Sequence, residues 1–323
     1  MLSVALALAL ACAGEEPPED TLPAELPPEP PAAFAHLAQD LPASTEAQAA
    51  LGRELFFDPL LSVDRSVACA SCHQPEHGFA DPRPFSRGAH GRSTTRNAPT
   101  LLNRGLGRTF MWDGRAATLE EQVLLPIENP VEMDLDLADV LERLEEDAGY
   151  AAFFREAFGR APDREALATA LAAFVRRLWS GEGPFDRFRD GDIASLSGPE
   201  RSGFWLYESR GGCWRCHSGP NFTDESFHNT GVGALHGVPE QGRAAVTGEE
   251  ADRGRFKTPT LRGLAHTAPY MHDGTLATLR DVVEFYRRGG NANANKSPHL
   301  VPLELSDTDV DNLVAFLEAL SRR

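Results

Sequence analysis

Two short motifs constrain this chain more than any other feature of its sequence. Both read C-x-x-C-H, one at residues 69–73 and the other at residues 213–217. Two cysteines three positions apart can form two thioether bonds to one haem, and the histidine directly after them places an imidazole on its iron. This is the attachment pattern of c-type haem. The sequence therefore predicts two covalently bound haem c groups, held by Cys69, Cys72, His73, Cys213, Cys216 and His217.

A zinc site and a redox-active dithiol are the alternative interpretations of these cysteines. Both are weaker, since a zinc ribbon has no need of a histidine directly after each pair. Composition narrows the class further: 323 residues, 41% hydrophobic and 24% charged, are typical of about two globular domains. The net charge of -17 argues against nucleic acid as a partner, because a phosphate backbone requires clustered lysines and arginines.

Residues 1–33 are predicted to form an export segment and a tether rather than part of a domain. The apolar run at 2–13 has the length of a signal-peptide core and is too short to span a bilayer. Cys12 lies in a sequence that resembles a bacterial lipoprotein cleavage box, and a plain cleaved signal peptide or a misplaced start codon is the alternative. Residues 15–31 are acidic and proline-rich, too polar to join a core, and are interpreted as a tether. We expect a periplasmic protein that contacts a membrane only through a lipid anchor on Cys12.

Apolar residues recur at helical spacing in two later stretches, and few stretches alternate as strands do. The two stripes comprise Leu167, Leu171, Phe174, Val175 and Leu178, and Val310, Leu313, Val314, Leu317 and Leu320. Ser306 and Asp309 predict a capping box at the start of the second helix. A stretch rich in Gly, Asp and Ser at 180–199 indicates a domain boundary. The predicted fold is all-α, with cytochrome c-like haem domains at residues 34–190 and 191–323.

An internal repeat relates these two halves. The tripeptide PTL at 99–101 recurs at 259–261, and the pattern DGxxATL at 113–119 recurs at 273–279, so the offset is 160 in both cases. Each copy follows one C-x-x-C-H motif. We therefore expect a duplicated haem domain whose two halves have diverged.

The divergence is chemical. At the offset of 160, Trp112 corresponds to His272 and Pro126 corresponds to Tyr286. A haem iron with a proximal histidine either takes a sixth side-chain ligand, which favours electron transfer, or keeps an open position, which favours chemistry on a small oxidant. Proline cannot bind iron, whereas a tyrosine phenolate can. We expect Tyr286 to be the sixth ligand of the second haem; Met271 as that ligand and Tyr286 as a core residue are the alternatives.

An open face on the first haem requires polar groups that handle peroxide protons. Gln122 and Glu132 flank Pro126 in residues 122–133, whose two prolines predict a loop over a pocket. Glu132 is expected to take a proton from the inner peroxide oxygen and deliver it to the departing oxygen, with Gln122 orienting the oxidant. A solvated loop glutamate is the alternative.

The sequence over 51–320 resembles the bacterial di-haem cytochrome c peroxidase and MauG family. The likeness rests on LGRELFFDPLLS at 51–62, CASCH at 69–73, RNAPTLLN at 96–103, FMWDGRAATLEEQ at 110–122, PVEM at 130–133, CWRCHSGPNFTD at 213–224 and TPTLRGLAHTAPYMHDGTLATL at 258–279. It implies two α-helical cytochrome c domains, with a peroxidatic haem on His73 and an electron-entry haem on His217. It also implies that Trp112 lies between the haems and that Gln122 and Glu132 form the distal pair.

Two further features are implied by the resemblance alone. One is a calcium ion between the domains, held by the Asn97 side chain and the backbone carbonyls of Thr267 and Pro269, with waters. The other is His90, which matches a loop whose histidine ligates the first haem in resting peroxidases; an exposed loop histidine is the alternative. Tyr286 is similar to the MauG branch, because ordinary peroxidases of the family carry methionine there.

Three functions are weighed. The first is reduction of hydrogen peroxide to water with electrons from a small donor protein, such as a cytochrome c or a copper protein, through the second haem. The second is MauG-like, peroxide-dependent oxidation of a protein or organic donor through a high-valent di-haem state. The third is a non-catalytic di-haem electron carrier. Two of the three are oxidoreductases, and the acidic surface favours a basic donor. The oligomeric state, including a homodimer, is left open.

Overall fold

The structure, a computed structural model, describes residues 29–234, residue 237 and residues 239–322. Cys12, the predicted export segment and most of the predicted tether lie outside the described residues. The tether's end departs from the prediction that it stays out of the core: Pro31 is buried and lies against Gly181. The helical turn Ala32–Phe34 follows it, and the fully buried Phe34 stacks on Trp179. Aromatic packing therefore fixes the chain where the tether ends.

The described residues are mostly helical, as predicted, with one small antiparallel sheet. The helices are α1 (Ala35–Ala38), α2 (Glu46–Phe57), α3 (Leu119–Glu128), α4 (Leu137–Glu146), α5 (Ala148–Phe158), α6 (Arg164–Val175), α7 (Pro184–Arg189), α8 (Gly198–Glu208), α9 (Ala244–Thr247), α10 (Leu279–Arg287) and α11 (Asp307–Ala319), and the strands are β1 (Phe227–His228) and β2 (Phe256–Lys257). Among the described helices, none combines the length and the apolar character that a bilayer-spanning segment needs.

Both predicted stripes lie on helices, α6 and α11, apart from Leu178 and Leu320, which lie just beyond the helix ends, and the capping box of α11 is confirmed. The Ser306 hydroxyl accepts from the Asp309 amide at 3.2 Å, and the Asp309 carboxylate accepts from the Ser306 amide at 2.9 Å. These bonds satisfy amide groups that the first turn of a helix leaves without partners. The chain therefore enters α11 at a defined residue.

One close helix crossing organises each half. In the first half α2 crosses α6 at Gly52, where a Cβ atom would lie 1.9 Å from the Ala170 carbonyl oxygen. In the second half α8 crosses α11 at Gly203, where a Cβ would lie 1.9 Å from the Asn312 carbonyl oxygen. Only glycine allows two backbones to approach this closely.

The buried apolar residues form two separate clusters. The first extends along the chain from Leu51 to Leu178, and the second extends from Phe185 to Leu320. The change from one cluster to the other falls between residues 178 and 185, next to or within the glycine-rich stretch where the sequence indicates a boundary. The domain limits themselves stay a prediction.

The same local structure recurs at positions 160 residues apart. Phe110 pairs with Ala116 in an isolated antiparallel bridge, and Tyr270 pairs with Leu276 in the same way. The helices that follow, α3 and α10, both begin after a threonine whose hydroxyl caps the first turn. The internal sequence repeat is thus matched by repeated local geometry.

The prediction of a loop over residues 122–133 is wrong for its first half. Gln122 and Pro126 lie in α3, which continues to Glu128. Pro126 has no amide proton to donate to the Gln122 carbonyl, but it lies in the last turn of the helix, where few further helical bonds depend on it. The Met133 amide donates to the Pro126 carbonyl at 3.1 Å, which satisfies one of the carbonyls that the end of the helix leaves without a partner. Both side chains therefore project from a rigid element rather than from a loop.

A buried ion pair anchors α7 to the second core, and its loss has a defined expected cost. Arg262 donates to both carboxylate oxygens of Asp186, at 2.7 and 2.6 Å, and Arg262 is 2% exposed. Asp186→Ala leaves this buried cation without a carboxylate, with only the bond from Nε to the Pro220 carbonyl remaining, so the free energy of unfolding should fall by about 3–5 kcal/mol. Denaturant unfolding of the haem-loaded protein measures it. Asp311→Ala, which removes the exposed partner of Arg280, should cost under about 1 kcal/mol; equal losses would contradict the prediction.

Candidate haem site

The first C-x-x-C-H motif folds as one turn of 3-10 helix at Cys69–Ser71. The amides of Cys72 and His73 both donate to the Cys69 carbonyl, at 3.2 and 2.9 Å, which fixes the cysteines and the imidazole on one compact turn. His73 Nδ1 lies 3.0 Å from the Phe79 carbonyl oxygen. A carbonyl can only accept, so Nδ1 carries the proton and Nε2 keeps a lone pair that could bind a haem iron.

The second motif has the same geometry. Cys213–Arg215 forms the 3-10 turn, and His217 Nδ1 lies 3.1 Å from the Phe222 carbonyl oxygen. Burial lowers the pKa of both His73 and His217, which favours the neutral imidazole that binds a metal. Tyr207 donates to the His217 carbonyl and holds this turn against α8.

The thiols do not fit a redox-active dithiol. Burial raises the pKa of Cys69 and Cys213 to about 12, whereas reactive thiolates need a lowered pKa. Within the described residues, the only cluster of three or more His, Cys, Asp or Glu side chains close enough to share a metal ion comprises Cys216, Asp224 and His228, and it lacks the second cysteine that a zinc ribbon requires. Thioether attachment of haem remains the interpretation that uses both cysteines and the histidine of each motif.

A cavity of about 410 Å³ lies at the first motif. Its wall includes Cys69, Cys72 and His73 together with Gln122, Pro126 and Glu132. Residues more than fifty positions apart in the chain therefore meet around one space. The predicted distal pair, Gln122 and Glu132, therefore shares one cavity with Pro126. Proline has no side-chain atom that binds a metal.

Glu132 is the best-placed acid or base in this wall. Burial raises the pKa of its carboxyl group above the ordinary 4.5, while Arg115 and the Asn129 amide act in the opposite direction. Asn129 Nδ2 donates to Glu132 Oε1 at 3.0 Å and orients the carboxyl group. A carboxyl group with a raised pKa exchanges protons more readily near neutral pH than a solvated glutamate does.

Trp112 lies where the two halves meet and also lines the cavity. Its indole Nε1 donates to the Asn97 carbonyl at 2.8 Å, and its own carbonyl accepts from the Lys257 amide at 2.8 Å. The ring packs edge-on against His272, with centroids 6.3 Å apart. The residue thus touches the second half through both its side chain and its backbone.

Tyr286 stands near the second motif. It follows the buried Leu279 and Val283 on one face of α10, and Cys216 and Cys213 lie close enough to affect the pKa of its phenol, which burial raises. The other three tyrosine hydroxyls donate to Asp58, His217 and Leu264, respectively. The Tyr286 hydroxyl has no hydrogen-bond partner among the described residues, which leaves its oxygen available to a metal.

Three oxygens are available at the predicted calcium position. Asn97 uses its amide nitrogen to donate to the Arg83 carbonyl at 3.0 Å, and its side-chain oxygen has no partner among the described residues. The carbonyl oxygens of Thr267 and Pro269 likewise accept no hydrogen bond in the part of the chain that the structure describes. The Asn97 amide donates to the His272 carbonyl at 2.8 Å, so the two segments are in contact. Such oxygens fit a hard cation.

His90 is placed away from the cavity wall. Its side chain is 47% exposed, and Nδ1 lies 3.4 Å from the Asp64 carboxylate, which also accepts from the His90 amide at 2.9 Å. The neighbouring Gly88 does line the cavity. A role for His90 as a haem ligand stays a prediction that requires this loop to rearrange.

The sequence interpretation missed the cations of the cavity wall: Arg96, Arg104, Arg115 and Lys257. They lie in separate segments, so no local motif joins them. It also missed that His272 stacks on Phe256 with centroids 3.6 Å apart and lies 3.2 Å from Glu240. Nothing in the sequence spacing indicates either arrangement.

Comparison with known proteins places the chain in a family. The family model for di-haem cytochrome c peroxidase matches residues 46–194. The chain is 42% identical over 278 residues to methylamine utilization protein MauG of Methylorubrum extorquens, covering 85% of this chain and 78% of that one. It is 37% identical over 279 residues to cytochrome c551 peroxidase of Nitrosomonas europaea, covering 84% and 79% of the two chains.

A solved structure supports the same family assignment. The crystal structure of a MauG-like protein associated with microbial copper homeostasis superposes with a TM-score of 0.79 at 33% identity, covering 93% of this chain and 94% of that one. The family implies two c-type haems, in accordance with the two motifs. The chain therefore belongs to the di-haem cytochrome c peroxidase and MauG family of oxidoreductases, as the resemblance of its motifs predicts.

Proposed function

We propose that this protein is a periplasmic di-haem peroxidase that reduces hydrogen peroxide to water with electrons from a small redox protein. The observation that carries the proposal is the single cavity in which His73, Gln122, Pro126 and Glu132 meet. When bound, the haem on His73 supplies the iron that takes electrons to peroxide. The chain's own part is to exclude competing ligands at Pro126, to orient peroxide with Gln122 and to move its proton with Glu132.

The second haem, on His217, is proposed to receive electrons from the donor, with Trp112 between the two halves. Its sixth ligand is proposed to be Tyr286, because that hydroxyl lacks a partner among the described residues while burial raises its pKa. A buried phenolate requires a cation beside it, and a ferric iron supplies that charge.

The same tyrosine supports a second candidate function. An anionic ligand stabilises oxidised iron, so a haem with a phenolate ligand is less readily reduced and better suited to share oxidising equivalents. This favours MauG-like oxidation of a protein or organic donor. The third candidate, a pure electron carrier, is disfavoured because it has no use for a cavity with Gln122 and Glu132 in its wall.

Three further features belong to the proposal. Calcium is proposed to bind Asn97, Thr267 and Pro269, which metal analysis of the purified protein checks. The repeated bridges and helix starts at an offset of 160 support descent of the two halves from one duplicated domain. The net charge of -17 favours a basic electron donor.

Titration of the fully ferric, haem-loaded protein with hydrogen peroxide tests the proposal. Spectral changes at both haems before any reductant is added would favour the MauG-like function. A response that appears only after one haem is reduced would favour the donor-dependent peroxidase. A protein that stays unresponsive to peroxide in both states would contradict both enzymatic functions and leave the electron carrier.

The pH dependence of peroxide turnover has a defined sign. Glu132 can accept a proton only when ionised, and burial raises its pKa above the ordinary 4.5. Turnover should therefore fall as the pH decreases through this raised pKa, at a higher pH than a solvated glutamate would give. A pH profile of the peroxide reaction measures it. The same acid limb in Glu132→Gln would assign the titration to another group.

A further inference from the structure

Positive charge is concentrated in the wall of the first haem cavity. Four cationic side chains line it, namely Arg96, Arg104, Arg115 and Lys257. Lys257 belongs to β2 of the second half and is one of only two lysines in the chain. Buried cations are costly unless anions of comparable number face them.

One carboxylate forms ion pairs with two of these cations. Arg96 Nη1 and Arg115 Nη1 lie 2.8 and 2.9 Å from the same oxygen of Asp113, whose side chain is 7% exposed. Both guanidinium groups lower the pKa of Asp113, so this carboxyl group is ionised. The group of three therefore carries one positive charge in excess.

A second carboxylate is shared in the same way. Arg104 Nη1 lies 2.7 Å and Lys257 Nζ lies 3.1 Å from Glu225, and the three side chains are 12%, 7% and 8% exposed, respectively. Lys257 Nζ also donates to the Thr109 hydroxyl at 2.6 Å. Burial lowers the pKa of Lys257 although Glu225 raises it. This group also carries one positive charge in excess.

Glu132, the other carboxyl group that lines this cavity besides Asp113, forms no ion pair with these four cations among the described residues. Its Oε1 accepts a hydrogen bond from Asn129 instead. The two ion-paired groups therefore each present one positive charge in excess at the same cavity.

We propose that these two excess charges bind the two propionate carboxylates of the haem on His73, and that Lys257 is one of the groups that hold them. Haem c carries two propionates, which is one for each of these two groups. The inference rests on the proposed function only in requiring a haem on His73. It makes the second half of the chain a contributor to the first haem's site, since the Lys257 amide also donates to the Trp112 carbonyl.

The sign of the effect on the haem follows from electrostatics. A positive charge near the iron favours its reduced form, so removing the Lys257 ammonium should favour the oxidised form. We expect Lys257→Gln to shift the reduction equilibrium of the first haem about tenfold toward the ferric state, which is about 59 mV for one electron. Glu225→Gln frees both cations and should shift it in the opposite direction.

Spectroelectrochemical titration of the holoprotein tests this, after the covalent haems are counted. Cyanide marks the first haem, since only an open iron position takes an added ligand. Lys257→Arg should keep the wild-type potential, and Lys296→Gln is the matched control, because it removes the other lysine, whose Nζ donates to the Gly289 carbonyl.

Potentials of Lys257→Gln that equal those of Lys296→Gln, or a shift confined to the second haem, overturn the inference. If Lys257→Gln does not fold, Glu225→Gln is the remaining test. An unchanged or lowered reduction potential of the first haem in Glu225→Gln then overturns the inference. A wild-type protein without haem on His73 overturns the proposed function as well, so the two failures are distinguishable.

Discussion

Glu132→Gln should slow the reaction with hydrogen peroxide by about 100- to 10,000-fold, the range that a positioned acid-base group contributes. The glutamine keeps the size of the side chain and can still bond to Asn129, which now donates to Glu132 Oε1 at 3.0 Å. What it loses is the ability to hold a proton between its removal from one peroxide oxygen and its delivery to the other. Single-turnover mixing of the haem-loaded protein with peroxide measures the rate.

Glu128→Gln is the matched control for this substitution. Glu128 is the last residue of α3, is exposed and does not line the cavity, so the same change of side chain should leave the rate near the wild-type value. Both variants should carry two covalent haems, because neither substitution alters a cysteine or the histidine of a C-x-x-C-H motif. A Glu132→Gln rate within about threefold of Glu128→Gln would remove Glu132 from the proton transfer.

The parts of the site that were predictable from sequence are those whose geometry is local. The C-x-x-C-H turns need only five consecutive residues, and the 160-residue offset pairs positions that the structure shows in the same local geometry, such as Phe110 with Tyr270. The helical stripe of α11 likewise depends on spacing within one element. Family resemblance added the expected roles of Trp112 and the calcium oxygens.

The parts that were not predictable depend on contacts between residues that are distant in the sequence. Proline at position 126 indicates a loop when neighbours alone are considered, but α3 continues through it to Glu128, and the Met133 amide then donates to the Pro126 carbonyl at the end of the helix. The sequence predicts that Pro31 belongs to a polar tether, yet Pro31 is buried because it packs beside Gly181. The sharing of Glu225 between Arg104 and Lys257 joins three distant segments, and no spacing rule reveals it.

Tyr286→Phe should change the spectrum of the second haem and leave that of the first haem unaltered. Phenylalanine keeps the ring in its place on α10, near Leu279 and Val283, and removes only the oxygen. Loss of an anionic ligand should also raise the reduction potential of this haem, on the order of 100 mV or more within the roughly 0.8 V that axial ligands span. Optical spectra of both redox states and a potentiometric titration measure the two effects.

Tyr150→Phe controls for the removal of a tyrosine hydroxyl, since Tyr150 is half-buried, donates to Asp58 and does not line the cavity at the first motif. Its haem spectra should equal those of the wild type. An unaltered spectrum of the second haem in Tyr286→Phe would show that Tyr286 is a core residue and not a ligand, and Met271 would be the next ligand to test. A changed second haem that still passes electrons to peroxide would show that the phenolate sets the potential without being required for turnover, which separates the peroxidase from the MauG-like function.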